Sequence, residues 1–419
     1  METFVLVNGL EAQGSRSEFK MPKIAAQQRV KVTVSGLAKA LKNVPGTGAE
    51  VLVGVEFKLR DDAPLLDKGF VVAHQQFQVR EYDFPAIAPE NVADVKTSGE
   101  NVKIDEAVAY VKLEAAGVVY TFNKNTGWID YIDVDGKQVT QNGSQLKSDF
   151  WRAPTDNDYG ASLHRRMQAW RNPSLRRTFF ECKVEDGLGK VNVKYEVEQL
   201  YASLELEYIV TRTGALHVSQ KLVTRPDEAA QANAQANAQA AQQRQGQRGG
   251  QRGGQGNAMP DLFKFGMTMN MAKEYDRVEF YGRGPIENYS DRNSSQFLGV
   301  YASTVADQYF PYIRPQENGN KTDVRWWKVV NAEGKGLCFY SDAPLSMSSL
   351  NYTTDDLDEG QNKHNVHAGD LNPRPFTVVH IDKSQYGLAC VNSWGATPLD
   401  QYKLHYGDYS YSFVIEPLR

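Results

Sequence analysis

Short runs of alternating apolar and polar residues recur through the first 85 positions of the chain. Alternation with a period of two, carried by β-branched residues and bounded by Gly, Pro or Asp, is typical of strands with one buried face. The runs are FVLV (4–7), RVKVTV (29–34), EVLVGVEFKL (50–59) and FVVAHQQFQV (70–79). Their close spacing predicts a small antiparallel β-sandwich over residues 1–85.

A second and longer series of alternating runs occupies residues 101–419. Turn signals such as Asn-Thr-Gly and Val-Asp-Gly separate its members, which predicts a large antiparallel sheet. Residues 86–100 contain few apolar pairs and are predicted to be a linker. The fold class predicted from the pattern is therefore all-β. One helix is predicted among the strands, at 161–172, where three apolar residues share a face: Leu163, Met167 and Trp170.

Residues 229–258 form a low-complexity insertion within this second series. It holds almost no large apolar side chain, so burial does not offset the entropy lost on ordering it. QRGG repeats place Arg244, Arg248 and Arg252 at regular intervals, a spacing that suits weak RNA contacts. Three arginines in a polar tract are far more often part of a solvated loop. We therefore predict a lengthened loop and no nucleic-acid binding.

Composition removes several classes of function. The formal net charge is −4 and 23% of residues are charged, which provides no bulk attraction for nucleic acid or a membrane surface. No apolar run approaches the roughly 20 residues of a membrane span. The N-terminal METFVLVNGL lacks the pattern of a signal peptide, so we expect a soluble protein, cytoplasmic or periplasmic. Met1 leads directly into a predicted strand, which indicates a fragment or half of a split gene.

The triplet Asp156-Asn157-Asp158 concentrates oxygen ligands of the kind that calcium prefers. It lacks the longer alternation of acids and the closing glutamate of a calcium loop, so side chains bonded to their own turn are the favoured interpretation. Trp151 and Arg152 beside it are expected to be packing and salt-bridge partners. We predict no metal site, since the cysteines are also too scattered for zinc or for a disulfide framework. They are Cys182, Cys338 and Cys390.

The segment Tyr281–Trp327 shows neither strand alternation nor helical spacing for most of its length. Arginines, acids and tyrosines are interleaved in it, and glycines and prolines turn the backbone repeatedly. Directional arginine–carboxylate pairs are well suited to hold such a segment, so a structural network is favoured over a ligand-facing loop. Its charged residues of interest are Arg283, Glu287, Asp291, Arg292, Arg314, Glu317, Asp323 and Arg325.

Several motifs in this part of the chain resemble one family. YGRGPIENYSDR (281–292), QYFPYIRPQENGNKTDVRWW (308–327) and NSWG (392–395) resemble the C-terminal domain of the large β-galactosidases of glycoside hydrolase family 2. SDFWRAPTDNDYG (148–160) is similar to an upstream signature of the same domain. Residues 1–85 look like the immunoglobulin-like domain that precedes it in the family.

The resemblance implies a fold and one sugar contact. The family's C-terminal domain is a large two-sheet antiparallel supersandwich, similar to galactose mutarotase. In the family, the tryptophan of the motif Asp-Asp-Ser-Trp reaches the active site of a (β/α)8 barrel and stacks on the sugar. The matching residue here is Trp394, although Val391 and Asn392 replace the two acids. The charged residues named above are interpreted as structural.

The catalytic glutamates of the family lie on the barrel, and the acid/base follows an asparagine. This chain contains no Asn-Glu pair and no strand–helix alternation of the kind that builds a barrel. Glu287 and Glu317 lie beside arginines, which are expected to hold them ionised and passive. No catalytic residue is therefore assigned here.

We predict a non-catalytic C-terminal portion of a β-galactosidase. Its expected partners are the catalytic barrel, in cis or as a separate chain, and a β-galactoside such as lactose. The Mg²⁺ and Na⁺ that the family commonly uses belong to that barrel, so no cofactor is expected in this chain. Whether the chain forms a homo-oligomer is left open.

Two other functions remain open from the sequence. A stand-alone carbohydrate-binding module would combine Trp394 with Trp326 or Trp327 as a platform. A mutarotase-like aldose epimerase would need a histidine and a carboxylate across one pocket to move a proton. Its candidate residues are His364 or His367 with Glu317 or Asp323.

Overall fold

The structure is a computed structural model that describes residues 1–87, 99–232, 234–235, 259–362, 366–389, 391–392 and 394–419. Its strands form three antiparallel sheets, and the helices within the described ranges are few and short. The predicted all-β class is confirmed.

The first sheet is built by residues 2–80 and has five strands. They are β1 (Glu2–Val7), β2 (Leu10–Glu11), β3 (Ser17–Glu18), β4 (Val51–Lys58) and β5 (Val71–Arg80). Helix α1 (Ser35–Lys42) packs Leu37 and Leu41 against Val5 and Val53 of this sheet. The strand predicted at 29–34 is wrong. No neighbouring strand pairs with that segment, so its alternation gains no ladder, and the chain continues into α1.

A second sheet of five strands and a third of twelve form the larger part of the molecule. The strands of the second sheet are β6 (Lys103–Glu106), β7 (Tyr110–Ala115), β8 (Val118–Asn123), β9 (Ile129–Val134) and β10 (Lys137–Gln138). The first six strands of the third are β11 (Lys147–Asp149), β12 (Arg176–Glu185), β13 (Leu188–Val197), β14 (Ala202–Val210), β15 (Leu216–Thr224) and β16 (Lys264–Ala272). The other six are β17 (Arg277–Gly284), β18 (Phe297–Thr304), β19 (Lys321–Val330), β20 (Gly336–Leu350), β21 (Phe376–Gln385) and β22 (Tyr409–Leu418).

The second and third sheets enclose one continuous apolar core. Alternate residues of β7, β8 and β13 to β15 point into it, as the period-two pattern requires. Phe122 of β8 meets Tyr208 of β14 edge to face, with ring centroids 5.3 Å apart. Such a core holds the large sheet rigid, so the loops at its ends are positioned by well-packed strands.

The predicted helix at 161–172 is only partly formed. Helices α2 (Asp156–Gly160) and α3 (Leu163–Arg166) are followed by a 3-10 turn at Gln168–Trp170. Leu163, Met167 and Trp170 are buried as the spacing predicted. One further short helix, α4 (Thr354–Leu357), follows β20. Of the insertion predicted at 229–258, residues 229–232 and 234–235 are described and helical, and the others lie outside the described residues, including the three arginines of the QRGG repeats.

A buried ion pair joins the first sheet to the third. Arg325 of β19 donates to both carboxylate oxygens of Glu50, at 2.8 and 3.1 Å, and the hydroxyl of Tyr281 donates to the same carboxylate. Glu50 is fully buried, so its charge is neutralised by Arg325 at the junction. Gln76 of β5 adds two bonds to the backbone of Leu298 in β18.

Candidate functional site

Trp394 is almost wholly exposed, with 93% of its surface accessible. It lies in a loop between β21 and β22, residues 386–399, which we call the tryptophan loop; residues 390 and 393 of this loop are outside the described ranges. The backbone N–H of Trp394 donates to Asn392 Oδ1 at 3.0 Å. Val391 and Leu399 in the same loop are 77% and 70% exposed. The loop thus presents a tryptophan and two aliphatic side chains to the outside.

Asp291 anchors the base of the tryptophan loop. Its two carboxylate oxygens accept the backbone N–H groups of Leu388 and Ala389, at 3.1 and 2.8 Å. The same carboxylate packs against Gly387, where an added Cβ would lie 2.6 Å from Oδ2. Charged acceptors for backbone N–H groups make strong, directional bonds. A residue of the irregular segment therefore fixes the first residues of the tryptophan loop.

Glu287 organises a second node of the irregular segment. Its carboxylate accepts from Arg292 at 2.6 Å and from the backbone N–H of Gly319 at 2.8 Å. The hydroxyl of Tyr312 donates to it as well. Only 8% of the Glu287 side chain is exposed. A carboxylate with three donors is held in place and ties two turns of the segment together.

The other arginines of this segment are paired with acids. Arg283 binds Asp323, Arg325 binds Glu50 of the first sheet, and Arg314 Nη2 lies 2.9 Å from both oxygens of Glu359. The segment is less irregular than predicted, because Phe297–Thr304 forms β18 and both of its ends belong to strands.

Glu317 differs from the expectation that neighbouring arginines hold it ionised. Burial raises its pKa to about 7, although the Lys264 and Arg152 cations lower it. The desolvation of the charged carboxyl outweighs the two cations, and the nearby acids Asp382 and Glu287 raise the pKa further. Glu317 therefore titrates near neutrality, and the prediction of a permanently ionised side chain is wrong.

The Asp156–Asp158 turn is held by its own side chains. Thr155 and Asp158 form a reciprocal capping box at the start of α2. Asp158 also pairs with the buried Arg152, whose Nη1 lies 2.6 Å from Oδ2. The predicted role of Arg152 as a salt-bridge partner is confirmed, and Trp151 is buried as expected. Across the described residues, no group of three or more His, Cys, Asp or Glu is arranged to hold a metal ion.

Of the alternative arrangements, the platform of Trp394 with Trp327 does not assemble. Trp327 is fully buried, stacks on Phe280 at 4.7 Å and donates to Ser349, so it does not form a platform with Trp394. His367 is exposed, and its Nδ1 lies 3.2 Å from the carbonyl of Ile313. His364, its proposed companion, lies outside the described residues.

The sequence-based predictions missed a buried charged cluster. Lys264 Nζ lies 2.6 Å from Asp149 Oδ2, 2.9 Å from His380 Nδ1 and 3.6 Å from Asp382 Oδ2. Lys264 and Asp382 expose almost nothing to solvent. A signal was present in the strand-like runs LFKFGMTMNM and FTVVHID, since each places a charged residue among apolar neighbours. A charge in such a run requires a partner of opposite sign.

Similarity to known proteins covers nearly all of this architecture. The family model described as "Beta galactosidase small chain" matches residues 114–415, and "Beta-galactosidase, domain 4" matches residues 3–80. The β-galactosidase of Priestia megaterium is 27% identical over 372 residues, which is 88% of this chain and 32% of that protein. The β-galactosidase of Lactobacillus delbrueckii subsp. bulgaricus is 27% identical over 350 residues, 83% of this chain and 30% of that protein.

A more distant likeness is found among solved structures. The galactose mutarotase related enzyme from Lactobacillus acidophilus aligns with a TM-score of 0.38 and 7% identity, over 74% of this chain and 97% of that one. The present chain spans about a third of the length of the curated β-galactosidases it matches. Among the residues that the structure describes, no helix combines the length and apolarity that crossing a membrane requires.

Proposed function

Because this chain belongs to the β-galactosidase small-chain family, we propose that it is the non-catalytic C-terminal portion of a glycoside hydrolase family 2 β-galactosidase. Such an enzyme hydrolyses terminal β-D-galactosides, for example lactose. The chain docks against a (β/α)8 catalytic barrel, in cis or on a separate polypeptide, and completes its active site with Trp394.

The exposure of Trp394 is the observation that carries this proposal. A tryptophan with 93% of its surface in water gains nothing from folding of the chain that bears it. Exposed aromatic residues beside other apolar side chains mark surfaces that another molecule covers. Val391 and Leu399 supply those neighbours within the same loop. A barrel seated on this loop would bury all three and leave the indole face for the sugar.

The anchoring of the loop supports a positioning role. Asp291 binds two consecutive N–H groups at the base of the loop, so the approach direction of Trp394 is set before the partner arrives. Preorganisation of this kind lowers the entropy lost on association. Val391 and Asn392, which replace the family's acids, follow the anchored residues in the chain.

The distribution of carboxylates supports a non-catalytic role. Retaining glycosidases need a nucleophile and an acid/base about 5 Å apart in one open site. Glu287 is enclosed by its three donors, and Asp291 by two backbone N–H groups. Neither is available for attack on a sugar. The catalytic pair is assigned to the barrel.

The test is a complementation assay with a chromogenic β-galactoside. The purified chain is assayed alone and after mixing with a separately expressed polypeptide that carries the catalytic barrel. We expect no turnover from the chain alone and turnover from the mixture. Turnover by the chain alone, or a mixture that forms neither a complex nor product, would contradict the proposal.

Trp394→Ala sharpens the same assay. Loss of an indole packed on a sugar removes roughly 1.5–3 kcal/mol of burial, which lowers kcat/KM of the mixture by about 10- to 100-fold. Trp394→Phe keeps an aromatic face and should retain more activity. An unchanged kcat/KM in Trp394→Ala would show that the sugar does not contact this residue.

A further inference from the structure

A second pocket, separate from the tryptophan loop, opens at one edge of the large sheet. Its volume is about 310 Å³, near the lower end for small-molecule sites, and strands β11, β16 and β21 form its floor. Segments at 143–145, 171–172 and 353–355, the last of which includes the start of α4, form its rim. None of its lining residues belongs to the tryptophan loop.

Strand register explains why the floor is polar. Asp149, Gly266 and Asp382 are paired across the three strands in one row, and the next row on the same face is Lys147, Thr268 and His380. Gly266 leaves room in the first row, because a Cβ there would lie 1.9 Å from Asp382 Oδ1. The side chain of Lys264 reaches the acids of this row. The glycine thus permits an ionic cluster beneath the pocket.

The buried cluster engages one edge of the His380 ring. Burial would lower the pKa of Lys264, but Asp149 and Asp382 outweigh it and raise the pKa to about 12. His380 Nδ1 lies 2.9 Å from Lys264 Nζ and 3.2 Å from Asp149 Oδ2, so this ring nitrogen is occupied by the cluster. Nε2, on the other side of the ring, is left for the pocket that His380 lines.

The charges that line the pocket are balanced: there are two cations, Lys147 and Arg171, and two carboxylates, Asp149 and Asp355. Asp149 pairs with the buried Lys264, and Arg171 is shared by Asp355 at 3.0 Å and Asp358 at 3.3 Å. Besides His380, the uncharged polar lining groups are hydroxyls and amides, which both donate and accept: Ser144, Gln145, Asn172, Thr268, Asn270, Thr353 and Thr354. A site of this composition matches a neutral ligand with many hydroxyl groups. Phosphate or a metal ion would require an excess of one charge.

We propose that this pocket binds a neutral saccharide of about one sugar ring, with His380 Nε2 hydrogen-bonded to one sugar hydroxyl and the Asn270 amide to an adjacent hydroxyl. Asn270 is partly exposed at the end of the same face of β16. Trp151 and Val378 provide the apolar part of the wall. The site is complete within this chain and does not require the barrel.

The experiment titrates the full chain with D-galactose and with D-glucose, followed by ligand-observed NMR. Wild type should show saturable binding of at least one of the two sugars. Asn270→Ala and His380→Asn should weaken it by about tenfold, the effect of losing a buried hydrogen bond. His380→Asn keeps a polar group beside Lys264 and Asp149 while it removes Nε2.

Glu18→Gln, an exposed position of β3 in the first sheet, is the matched control and should bind the sugar as wild type does. Loss of binding in Trp394→Ala with retention in both pocket variants would overturn the proposal. So would the absence of binding of both sugars by the folded wild-type chain, or displacement of the sugar by inorganic phosphate. These outcomes are independent of the complementation assay, because no barrel is present.

Discussion

The tryptophan loop and the polar pocket are two candidate sugar sites built on opposite physical principles. The loop exposes its key residue, and its geometry depends on one carboxylate, Asp291, outside the sheet. The pocket places its key residue on a strand, above a buried cluster centred on Lys264. The first contributes almost nothing to the stability of the chain, and the second is part of its core. Substitutions in the tryptophan loop should therefore leave the stability of the chain almost unchanged, whereas substitutions in the cluster beneath the pocket should lower it.

The largest expected effect is on the cluster beneath the pocket. Lys264→Met leaves Asp149 and Asp382 buried without their cation, and we expect a loss of roughly 3–5 kcal/mol in the free energy of unfolding. Urea denaturation of wild type and variant measures this loss. Lys147→Met, an exposed lysine on the rim of the same pocket, should change stability by about 0.5 kcal/mol or less. An equal loss of stability in Lys264→Met and Lys147→Met would show that the buried cluster stabilises the chain no more than an exposed lysine does.

A smaller effect is expected from filling the space beside Asp382. Gly266→Ala introduces a Cβ that meets Asp382 Oδ1, and displacement of the carboxylate should cost roughly 1–3 kcal/mol. Gly369→Ala, where a Cβ meets no atom within 4 Å, is the control. Thermal unfolding of both variants tests this. A Gly266→Ala protein as stable as wild type would show that the cluster adapts easily.

Glu317 makes stability depend on pH. Its pKa is raised from 4.5 to about 7 by burial, so the folded chain keeps the proton longer than the unfolded chain. The free energy of unfolding should therefore fall as pH rises from 4.5 to 7, by at most about 1.4 kcal/mol per pH unit. Glu317→Gln should remove this contribution, whereas Glu333→Gln on the surface should not. If the free energy of unfolding changed with pH in the same way in wild type and in Glu317→Gln, the proposed contribution of Glu317 would be contradicted.

The smallest effect is expected at the tryptophan loop. Trp394→Ala should change the free energy of unfolding by about 0.5 kcal/mol or less, because the side chain is solvated. Trp170→Ala removes a fully buried indole and should cost roughly 3–5 kcal/mol. Chemical denaturation of the two variants measures the difference. Strong destabilisation by Trp394→Ala would mean that the loop packs against this chain.

Local pattern was sufficient for most of the fold. Alternation located the long strands of the large sheet and the three longest strands of the first sheet, β1, β4 and β5, because one buried face imposes a period of two. It failed at 29–34, where alternation had no partner strand, and at Phe297–Thr304, where a strand lay hidden among turn-forming neighbours. Pairing is a property of two segments, and a single segment does not reveal it.

The sequence by itself determined the family resemblance, the all-β class and Trp394 as the candidate sugar contact. Only the tertiary structure decided that Trp394 is exposed while Trp327 is buried, and that Asp291 anchors the tryptophan loop. It also brought Asp149, Lys264 and His380 together from positions more than 100 residues apart. Burial and long-range pairing determine how the charges of Asp149 and Lys264 are balanced. Both depend on strand register across the sheet, which no local stretch of the chain contains.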